Sequence, residues 1–312
     1  MAEIRSFTDR GAPDLRSYVA LLKYHLAKTA DFAAVEYSGV VNGDIPALEA
    51  VGGKPIHDAD VLDIGCGQRA TSTLILHTLG ARVVGIDYDH TSSRFSWRSL
   101  LRTARLNGGQ RAAKTLVRHL LFDRRYYAEV ERLLGRPLLR SGVDIRRMDA
   151  CDLGFPDDSF DYVISHAVLE HIHDVPAAAV EMRRVLRPGG VAQLSIHLFP
   201  CLSGGHRLEW AYPNEQAGST IPPWDHLRGR RFPTHVYLNE LRESDYRTIF
   251  AQHFEIVNRT TMSEGEHLLT PELLRELVDY SFEDLTHSNL LLLLRKSEGD
   301  GERVLGQASP SS

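Results

Sequence analysis

The chain has 312 residues, of which 43% are hydrophobic and 25% are charged, and its net charge is −5. This balance is typical of a globular protein that buries a core without disulfides or structural metal ions. The net charge argues against a protein that coats nucleic acid non-specifically. Three widely spaced cysteines and the absence of a signal-like start predict a reducing, cytoplasmic location.

The first regular pattern is a strand, a helix and a second strand. Residues 60–64 form a short apolar strand that runs into Gly65, Cys66 and Gly67. A helical pattern follows, and residues 81–87 then form a β-branched strand. Such a unit is parallel, and its crossover is right-handed.

Five further strands alternate with helices along the rest of the chain. Apolar, β-branched runs predict them at residues 143–148, 160–165, 191–197, 254–258 and 289–296. Seven strands alternating with helices predict an α/β fold, a doubly wound and mostly parallel sheet with helices on both faces. We assign this domain to residues 56–296, a helical cap to residues 1–55 and a disordered tail to residues 297–312.

Two segments are longer than the connections that such a sheet requires. Residues 94–140 hold twelve Lys/Arg against three Asp/Glu, a local charge of +9, and three helical patterns. This basic insert could be a solvated face, a site for an anionic acceptor, or a contact with anionic lipid or RNA. Residues 199–236 are irregular and rich in proline, which is typical of a functional lid. The two tryptophans of this lid could stack on a flat acceptor or anchor the segment to the core.

The turn after the first strand has the features of a nucleotide site. Gly65 and Gly67 permit a tight turn and the close approach of a ligand. Asp87 ends the second strand, where a carboxylate can accept hydrogen bonds from ribose hydroxyls. With Ala70 these glycines also fit the dinucleotide fingerprint, so a dehydrogenase is an alternative at this point. Asp63 favours a cationic ligand instead, because a pyrophosphate would gain nothing from another anion.

The sequence around the fourth and fifth strands resembles a known family. The runs DACDLGFPDDSFDYVISHAVLEHI and RRVLRPGGVAQLSI resemble the fourth-strand region of ubiquinone/menaquinone-type class I methyltransferases, the methyltransferase type 11 superfamily. VLDIGCG and VVGIDYD resemble the first and second motifs of the same family. The resemblance implies a Rossmann-like methyltransferase fold and S-adenosylmethionine as the cofactor.

The resemblance also implies which residues hold that cofactor. They are Asp63, Gly65, Cys66 and Gly67 on the methionine side, Asp87 and Tyr88 at the ribose, Asp149 and Ala150 at the adenine, and Ser165 and His166 beside the sulfonium. One position departs from the family pattern, because Arg69 stands where a third glycine is usual. This change could narrow the loop or place a cation near the cofactor carboxylate.

Three histidines are candidates for the general base that a neutral hydroxyl acceptor would require. His166 follows the fourth strand, His197 ends the fifth, and His206 lies in a glycine-containing part of the lid. All are expected near the carboxyl ends of the strands, where ligands of such sheets bind. His171 is interpreted as structural. No histidine pair or carboxylate cluster has metal-ligand spacing, so we predict no metal site.

Together these patterns predict an S-adenosylmethionine-dependent methyltransferase that acts on a small-molecule or glycan acceptor, which could be anionic, with oxygen as the methylated atom. Two alternatives stay open. One is an RNA or protein methyltransferase that grips an anionic polymer with the basic insert, although the charge of −14 outside the insert opposes RNA. The other is a non-catalytic module that only binds the cofactor.

Overall fold

The computed structural model describes residues 15–211, 221–229 and 236–297. The start of the predicted cap, two parts of the predicted lid and nearly all of the predicted tail therefore lie outside the described residues. The strands of the described chain are β1 Asp60–Ile64, β2 Arg82–Asp87, β3 Asp144–Arg147, β4 Phe160–His166, β5 Leu186–His197, β6 Glu255–Ser263 and β7 His287–Arg295.

These strands form one sheet in the order β3-β2-β1-β4-β5-β7-β6. The first five strands are parallel, and β7 is antiparallel to both β5 and β6. The predicted seven-stranded, mostly parallel sheet is therefore confirmed. Because β1 to β5 run in one direction, the loops that follow them meet at one edge of the sheet, and this edge carries the site.

Helices cover both faces of the sheet. They are α1 Leu15–Ser38, α2 Ile45–Gly52, α3 Thr71–Thr78, α4 Trp97–Asn107, α5 Gly109–Arg118, α6 Arg124–Leu134, α7 Val175–Val185, α8 Glu243–Ala251, α9 Pro271–Glu276 and α10 Phe282–Thr286. One apolar core lies between the sheet and α7 and α8, and the other lies between the sheet and α1, α2, α3 and α6. Burial of these two faces is the main stabilising contribution.

The start of β5 differs from the prediction. The sequence predicts this strand at residues 191–197, but β5 already begins at Leu186 and includes the Arg-Pro-Gly-Gly run at residues 187–190. Leu186 pairs with Phe160 of β4, and the carbonyl of Gly190 accepts a hydrogen bond from the backbone of Lys296 after β7. The run thus joins the sheet, because both neighbouring strands supply partners for its backbone.

The insert between β2 and β3 consists of α4, α5 and α6, and α6 belongs to the core. Tyr126 and Val130 of α6 are buried against α3 and α1, and the Tyr126 hydroxyl donates to the carboxylate of Glu36. α4 lies outside, with Trp97 and Leu101 exposed. The insert is therefore anchored through α6, while α4 presents its surface to solvent.

The described part of the lid has its own apolar cluster. Trp224 is fully buried and donates its indole N–H to the carbonyl of Leu285 at 3.3 Å. Trp210 is buried beside it and donates to the carbonyl of Ile221 at 3.1 Å. Leu273 of α9 packs in the same cluster. Both tryptophans anchor the segment, so neither is available as a platform for an acceptor.

Within the part of the chain that the structure describes, every helix is too short or too polar to span a lipid bilayer.

Candidate cofactor and acceptor site

The deepest charged group at the site edge is the carboxylate of Asp63 in β1. It is 2% exposed, and its Oδ2 accepts a hydrogen bond from the hydroxyl of Thr73 at 2.5 Å. Burial raises the pKa of Asp63 to about 6, although the Thr73 hydrogen bond and the nearby His166 oppose the rise. A carboxylate in such surroundings gains from the arrival of a cationic ligand.

The glycine turn after β1 serves two different purposes. Gly65 has φ +74°, and a Cβ there would lie 2.1 Å from Cγ2 of Val168. Only glycine fits at position 65, because any side chain there would clash with the loop that follows β4. Gly67 has φ +66°, and the atom nearest to a Cβ there would be 4.0 Å away. Gly67 therefore borders open space, where a ligand can approach the backbone.

Asp87 is held in place by the backbone around it. Its Oδ2 accepts from the N–H of Gly67 at 2.9 Å, and its Oδ1 accepts from the N–H of Asp89 at 2.8 Å. Burial raises the pKa of Asp87, and these two hydrogen bonds oppose the rise. Each carboxylate oxygen keeps further acceptor capacity, which suits a pair of ribose hydroxyls. Tyr88 beside it is exposed.

Asp149 and Ala150 lie directly after β3, at the neighbouring position on the edge. Asp149 is exposed, and its Oδ1 accepts from the N–H of Cys151 at 2.9 Å. Ala150 is half-buried. Cys66 of the glycine turn is also half-buried, and burial raises the pKa of its thiol. The edge from β1 to β3 thus brings together the carboxylates of Asp63, Asp87 and Asp149.

Arg69, where the family usually has a third glycine, points away from this edge toward the insert. Its Nε lies 3.2 Å from Oδ1 of Asp123, and its guanidinium lies 4.2 Å from the ring centre of Tyr126. Its carbonyl accepts from the hydroxyl of Tyr127 at 2.9 Å. The side chain of Arg69 thus connects the turn after β1 to the insert, and its guanidinium charge is paired with Asp123.

The wall after β4 contains Ser165 and His166. Ser165 is buried, and its hydroxyl has no hydrogen-bond partner within the described part of the chain. Nε2 of His166 lies 2.9 Å from Oδ2 of Asp44 in the cap. Burial alone would lower the pKa of His166, but Asp44 outweighs it and raises the pKa to about 9. His166 is thus protonated at neutral pH and is poorly suited to accept a proton.

His197 at the end of β5 and His206 in the following loop lie next to each other, with ring centres 4.8 Å apart. Nε2 of His197 is 2.8 Å from the hydroxyl of Ser203, whereas Nε2 of His206 is buried without a hydrogen-bond partner among the described residues. Burial and the neighbouring histidines lower the pKa of His197 to about 4 and that of His206 to about 3. Both rings are therefore neutral at pH 7, and they suit the acceptance of a hydrogen bond better than the removal of a proton.

The sequence interpretation missed two residues in this half of the site. Glu170 is 1% exposed, and neither carboxylate oxygen has a hydrogen bond of normal geometry within the described chain. Burial raises its pKa to about 7. His171, interpreted from the sequence as structural, has its ring centre 5.0 Å from that of His206. The available signal was a charged residue four positions after an apolar strand, between the apolar residues Leu169 and Ile172, where a carboxylate is costly to bury.

Comparison with known families identifies the domain that this edge belongs to. Residues 62–194 match the family described as a methyltransferase domain. Residues 62–194 therefore form a methyltransferase domain, for which S-adenosylmethionine is the cofactor. The resemblance in the sequence is thereby confirmed, and the dehydrogenase alternative is removed.

Named relatives match this methyltransferase domain over limited lengths. A protein of Mycolicibacterium smegmatis, named a probable S-adenosylmethionine-dependent methyltransferase, is 31% identical over 136 residues, which are 44% of this chain and 37% of that protein. A demethylmenaquinone methyltransferase of Staphylococcus carnosus is 37% identical over 75 residues, or 23% of this chain and 31% of that protein. The matched parts thus span about a third of each of these relatives. A solved S-adenosylmethionine-dependent methyltransferase of Mesorhizobium loti is 21% identical, with a TM-score of 0.45, and covers 80% of this chain and 96% of its own.

The residues at the edge fit the cofactor of a methyltransferase domain. S-adenosylmethionine carries a sulfonium and an ammonium group, and the buried carboxylate of Asp63 is placed to favour positive charge. The unpartnered hydroxyl of Ser165 and the open space at Gly67 leave room for polar contacts with such a molecule.

Proposed function

We propose that this chain transfers the methyl group of S-adenosylmethionine to a hydroxyl oxygen of a small-molecule or glycan acceptor. The observation that carries the proposal is the arrangement of the sheet edge. The acidic cofactor edge of β1 to β3 lies on the same edge as two half-buried, neutral histidines, His197 at the end of β5 and His206 in the loop after it. Donor and acceptor groups are thus provided on one rigid sheet.

On the donor side, the bound cofactor supplies an electrophilic methyl group. Asp63 balances the positive charge on the methionine portion, and Asp87 accepts hydrogen bonds from the ribose hydroxyls. Asp149 and the backbone N–H of Ala150 receive the adenine edge. Because Asp87 is already fixed by two backbone N–H groups, little conformational entropy is lost when the ribose binds.

On the acceptor side, the histidines orient the hydroxyl that is methylated. Nε2 of His206 has a lone pair and no partner within the described chain, so it can accept a hydrogen bond from that hydroxyl. The nearby Trp224 cluster excludes water from this side. Methyl transfer is an in-line displacement, so alignment and the exclusion of water supply most of what the protein must contribute.

The basic insert supports an anionic group on the acceptor. A cavity of about 550 Å³ lies among α4, α5 and α6. It is lined by four arginines against two carboxylates, namely Arg94, Arg118, Arg124 and Arg140 against Asp123 and Glu131. Arg118 is paired with Asp123. The unpartnered buried hydroxyl of Thr115 also lines it. Such a cavity suits a phosphate or carboxylate group on a small acceptor.

The same insert favours the second candidate function, methylation of RNA or protein. Arg98, Arg102 and Arg105 of α4 are exposed on the outer surface, where a polymer could bind. The two candidates differ in their response to salt. RNA held by six or more of the insert's twelve Lys/Arg side chains would bind about 10³-fold or more weakly at 200 mM than at 50 mM salt, whereas a single anionic group on a small acceptor gives a much weaker dependence.

The test is transfer of a radiolabelled methyl group from S-adenosylmethionine to pools of hydroxylated small molecules, glycans, RNA and protein. We expect label in the small-molecule or glycan pool, as a base-stable methyl ether, with modest salt dependence. Label in RNA or protein would replace this proposal with the polymer candidate. Calorimetric binding of S-adenosylhomocysteine without transfer to any pool would favour the non-catalytic module.

A further inference from the structure

Three side chains with metal-ligating atoms converge on the acceptor side of the site. Glu170 and His171 follow β4, and His206 lies after β5. One donor atom from each residue lies within 4.8 Å of the other two. Bonds of about 2.0–2.2 Å to a zinc ion would put tetrahedral ligands about 3.4 Å apart. Small side-chain rotations are therefore sufficient to bring the three atoms around one ion.

Two of these residues have buried polar atoms that lack hydrogen bonds of normal geometry within the described chain. Neither oxygen of Glu170 has a hydrogen bond of normal geometry within the described chain, and Nε2 of His206 has none either. The backbone N–H groups of Glu170 and His197 lie near this carboxylate and oppose the rise of its pKa, but burial outweighs them. A buried carboxylate with such weak partners is costly, and so is an unpaired ring nitrogen. A cation bound between them would satisfy both groups at once.

His171 is held in the tautomer that a metal ligand requires. Its Nδ1 lies 2.9 Å from the carbonyl oxygen of Tyr237. A carbonyl can only accept, so Nδ1 carries the proton and Nε2 keeps its lone pair. Metal-binding histidines are commonly oriented by this kind of hydrogen bond. His171 is also exposed, which gives an ion access from solvent.

A second cluster nearby shows what an internally satisfied arrangement looks like. His197, Cys201 and Glu264 also bring one donor atom each within 4.8 Å of the others. Here Glu264 accepts from the N–H of Ser203 at 2.7 Å, and the Ser203 hydroxyl lies 2.8 Å from Nε2 of His197. Its polar atoms already have protein partners, so this cluster does not require an ion.

We propose that Glu170, His171 and His206 form a binding site for one divalent transition-metal ion, with zinc as the preferred occupant. Two imidazoles and one carboxylate are a ligand set that zinc accepts, and they leave a coordination position open. The site joins loops that lie 35 residues apart in the sequence, so the ion also cross-links the two halves of the acceptor pocket.

The role of the ion rests on the proposed function. An acceptor hydroxyl bound at the open position would lose its proton to water more readily. Its oxygen then forms the new O–CH₃ bond as the S–CH₃ bond breaks, and S-adenosylhomocysteine leaves. In this arrangement His206 acts by holding the ion. Binding of the ion itself is independent of whether methyl transfer occurs.

The experiment is calorimetric titration of the full chain, stripped with chelator, with ZnCl₂ in the absence of cofactor and acceptor. We expect one equivalent to bind. We expect the affinity to fall at least about 100-fold in Glu170→Gln, His171→Ala and His206→Ala, since even loss of an orienting partner costs 10–100-fold. Glu170→Gln keeps the size and shape of the side chain, and His171→Ala alters an exposed residue. We therefore expect both variants to fold, and circular dichroism checks this.

Two matched variants complete the design. His267→Ala removes an exposed histidine outside both clusters, and Glu264→Gln alters the second cluster. Both should bind zinc as the unaltered chain does. Three results would each overturn the proposal. The unaltered chain could fail to bind zinc stoichiometrically, the three site variants could bind zinc as tightly as the unaltered chain, or Glu264→Gln could abolish zinc binding. Methyl transfer that persists in a chain unable to bind zinc would overturn only the role of the ion, and the proposed function would stand.

Discussion

The donor half and the acceptor half of the site lie on one edge of one sheet, but they are built differently. On the donor half, Asp87 is bonded to the N–H groups of Gly67 and Asp89, and Asp63 is bonded to Thr73. These partners come from the turns that follow β1 and β2 and from the helix α3. The acceptor half instead holds buried polar atoms without partners, among them those of Glu170 and His206. The carboxylates of the donor half have partners close in sequence, whereas polar atoms of the acceptor half lack hydrogen bonds of normal geometry within the described chain.

The largest expected effect tests the acceptor half. His206→Ala should lower kcat by about 10²–10⁴-fold, because the acceptor loses the group that activates or aligns it. Cofactor affinity should change by less than about threefold, since the donor half is separate. Steady-state kinetics and calorimetry with S-adenosylhomocysteine measure the two effects. His267→Ala, which alters an exposed histidine, serves as the control. A loss below tenfold would return His206 to a structural role.

The next effect tests the turn of the donor half. Gly65→Ala places a methyl group 2.1 Å from Val168 at a φ of +74°, so strain and overpacking add. We expect the free energy of unfolding to fall by about 2–5 kcal/mol, measured by urea denaturation. Gly39→Ala is the matched control, because nothing lies within 4 Å of its Cβ position. The control should leave stability unchanged or raise it slightly. Equal effects at both positions would contradict the close approach at Gly65.

A smaller effect tests the ribose assignment. Asp87→Ala should weaken S-adenosylhomocysteine binding by roughly 1–3 kcal/mol, through the loss of charge-assisted hydrogen bonds. Calorimetry measures it, and Asp58→Asn, at an exposed carboxylate on the other side of the domain, is the comparison. Unchanged affinity in Asp87→Ala would show that Asp87 does not bind the ribose. The donor half would then lose one of its assigned cofactor contacts.

The smallest effect lies at the boundary of the two halves, in the ion pair of His166 with Asp44. Its raised pKa, about 9, means that the pair stabilises the fold fully below the ordinary histidine pKa near 6.5. That contribution is lost as the pH rises through about 9. We expect roughly 1–2 kcal/mol, because the imidazole is partly exposed. Urea unfolding of the unaltered chain and of Asp44→Asn should differ most below pH 6.5 and converge above pH 9. A difference independent of pH would contradict the pairing.

Much of the donor half could be predicted because its signals are local. The apolar run ending at Ile64, the glycines after it and Asp87 at the end of the next strand are features of single segments. Parallel pairing of β1 with β2 then brings Gly67 and Asp87 together without further information. The acceptor half could be predicted only in part. His197 and His206 were candidates from their positions, but their pairing and neutrality depend on burial by distant segments.

Three residues show why other side-chain orientations at the site could not be predicted from the sequence. Arg69 could have faced the cofactor, but its guanidinium lies between Asp123 and Tyr126 of the insert. His166 was a candidate base by its position in the sequence, but it forms an ion pair with Asp44 of the cap. Trp224 could have been a platform, but α10 supplies the carbonyl that holds its indole. In each case a partner more than 25 residues away decided which way the side chain points.

The seven-stranded α/β fold and the proposed methyl-donor edge follow from the sequence, because strand periodicity and turn chemistry act within a few residues. The arrangement of the proposed acceptor side depends on the tertiary structure. Glu170, His171 and His206 carry no recognisable spacing, and their convergence follows from where the loops after β4 and β5 pack. The cost of burying charge is set by neighbours in space, so the chemistry of these groups becomes visible only in the folded chain.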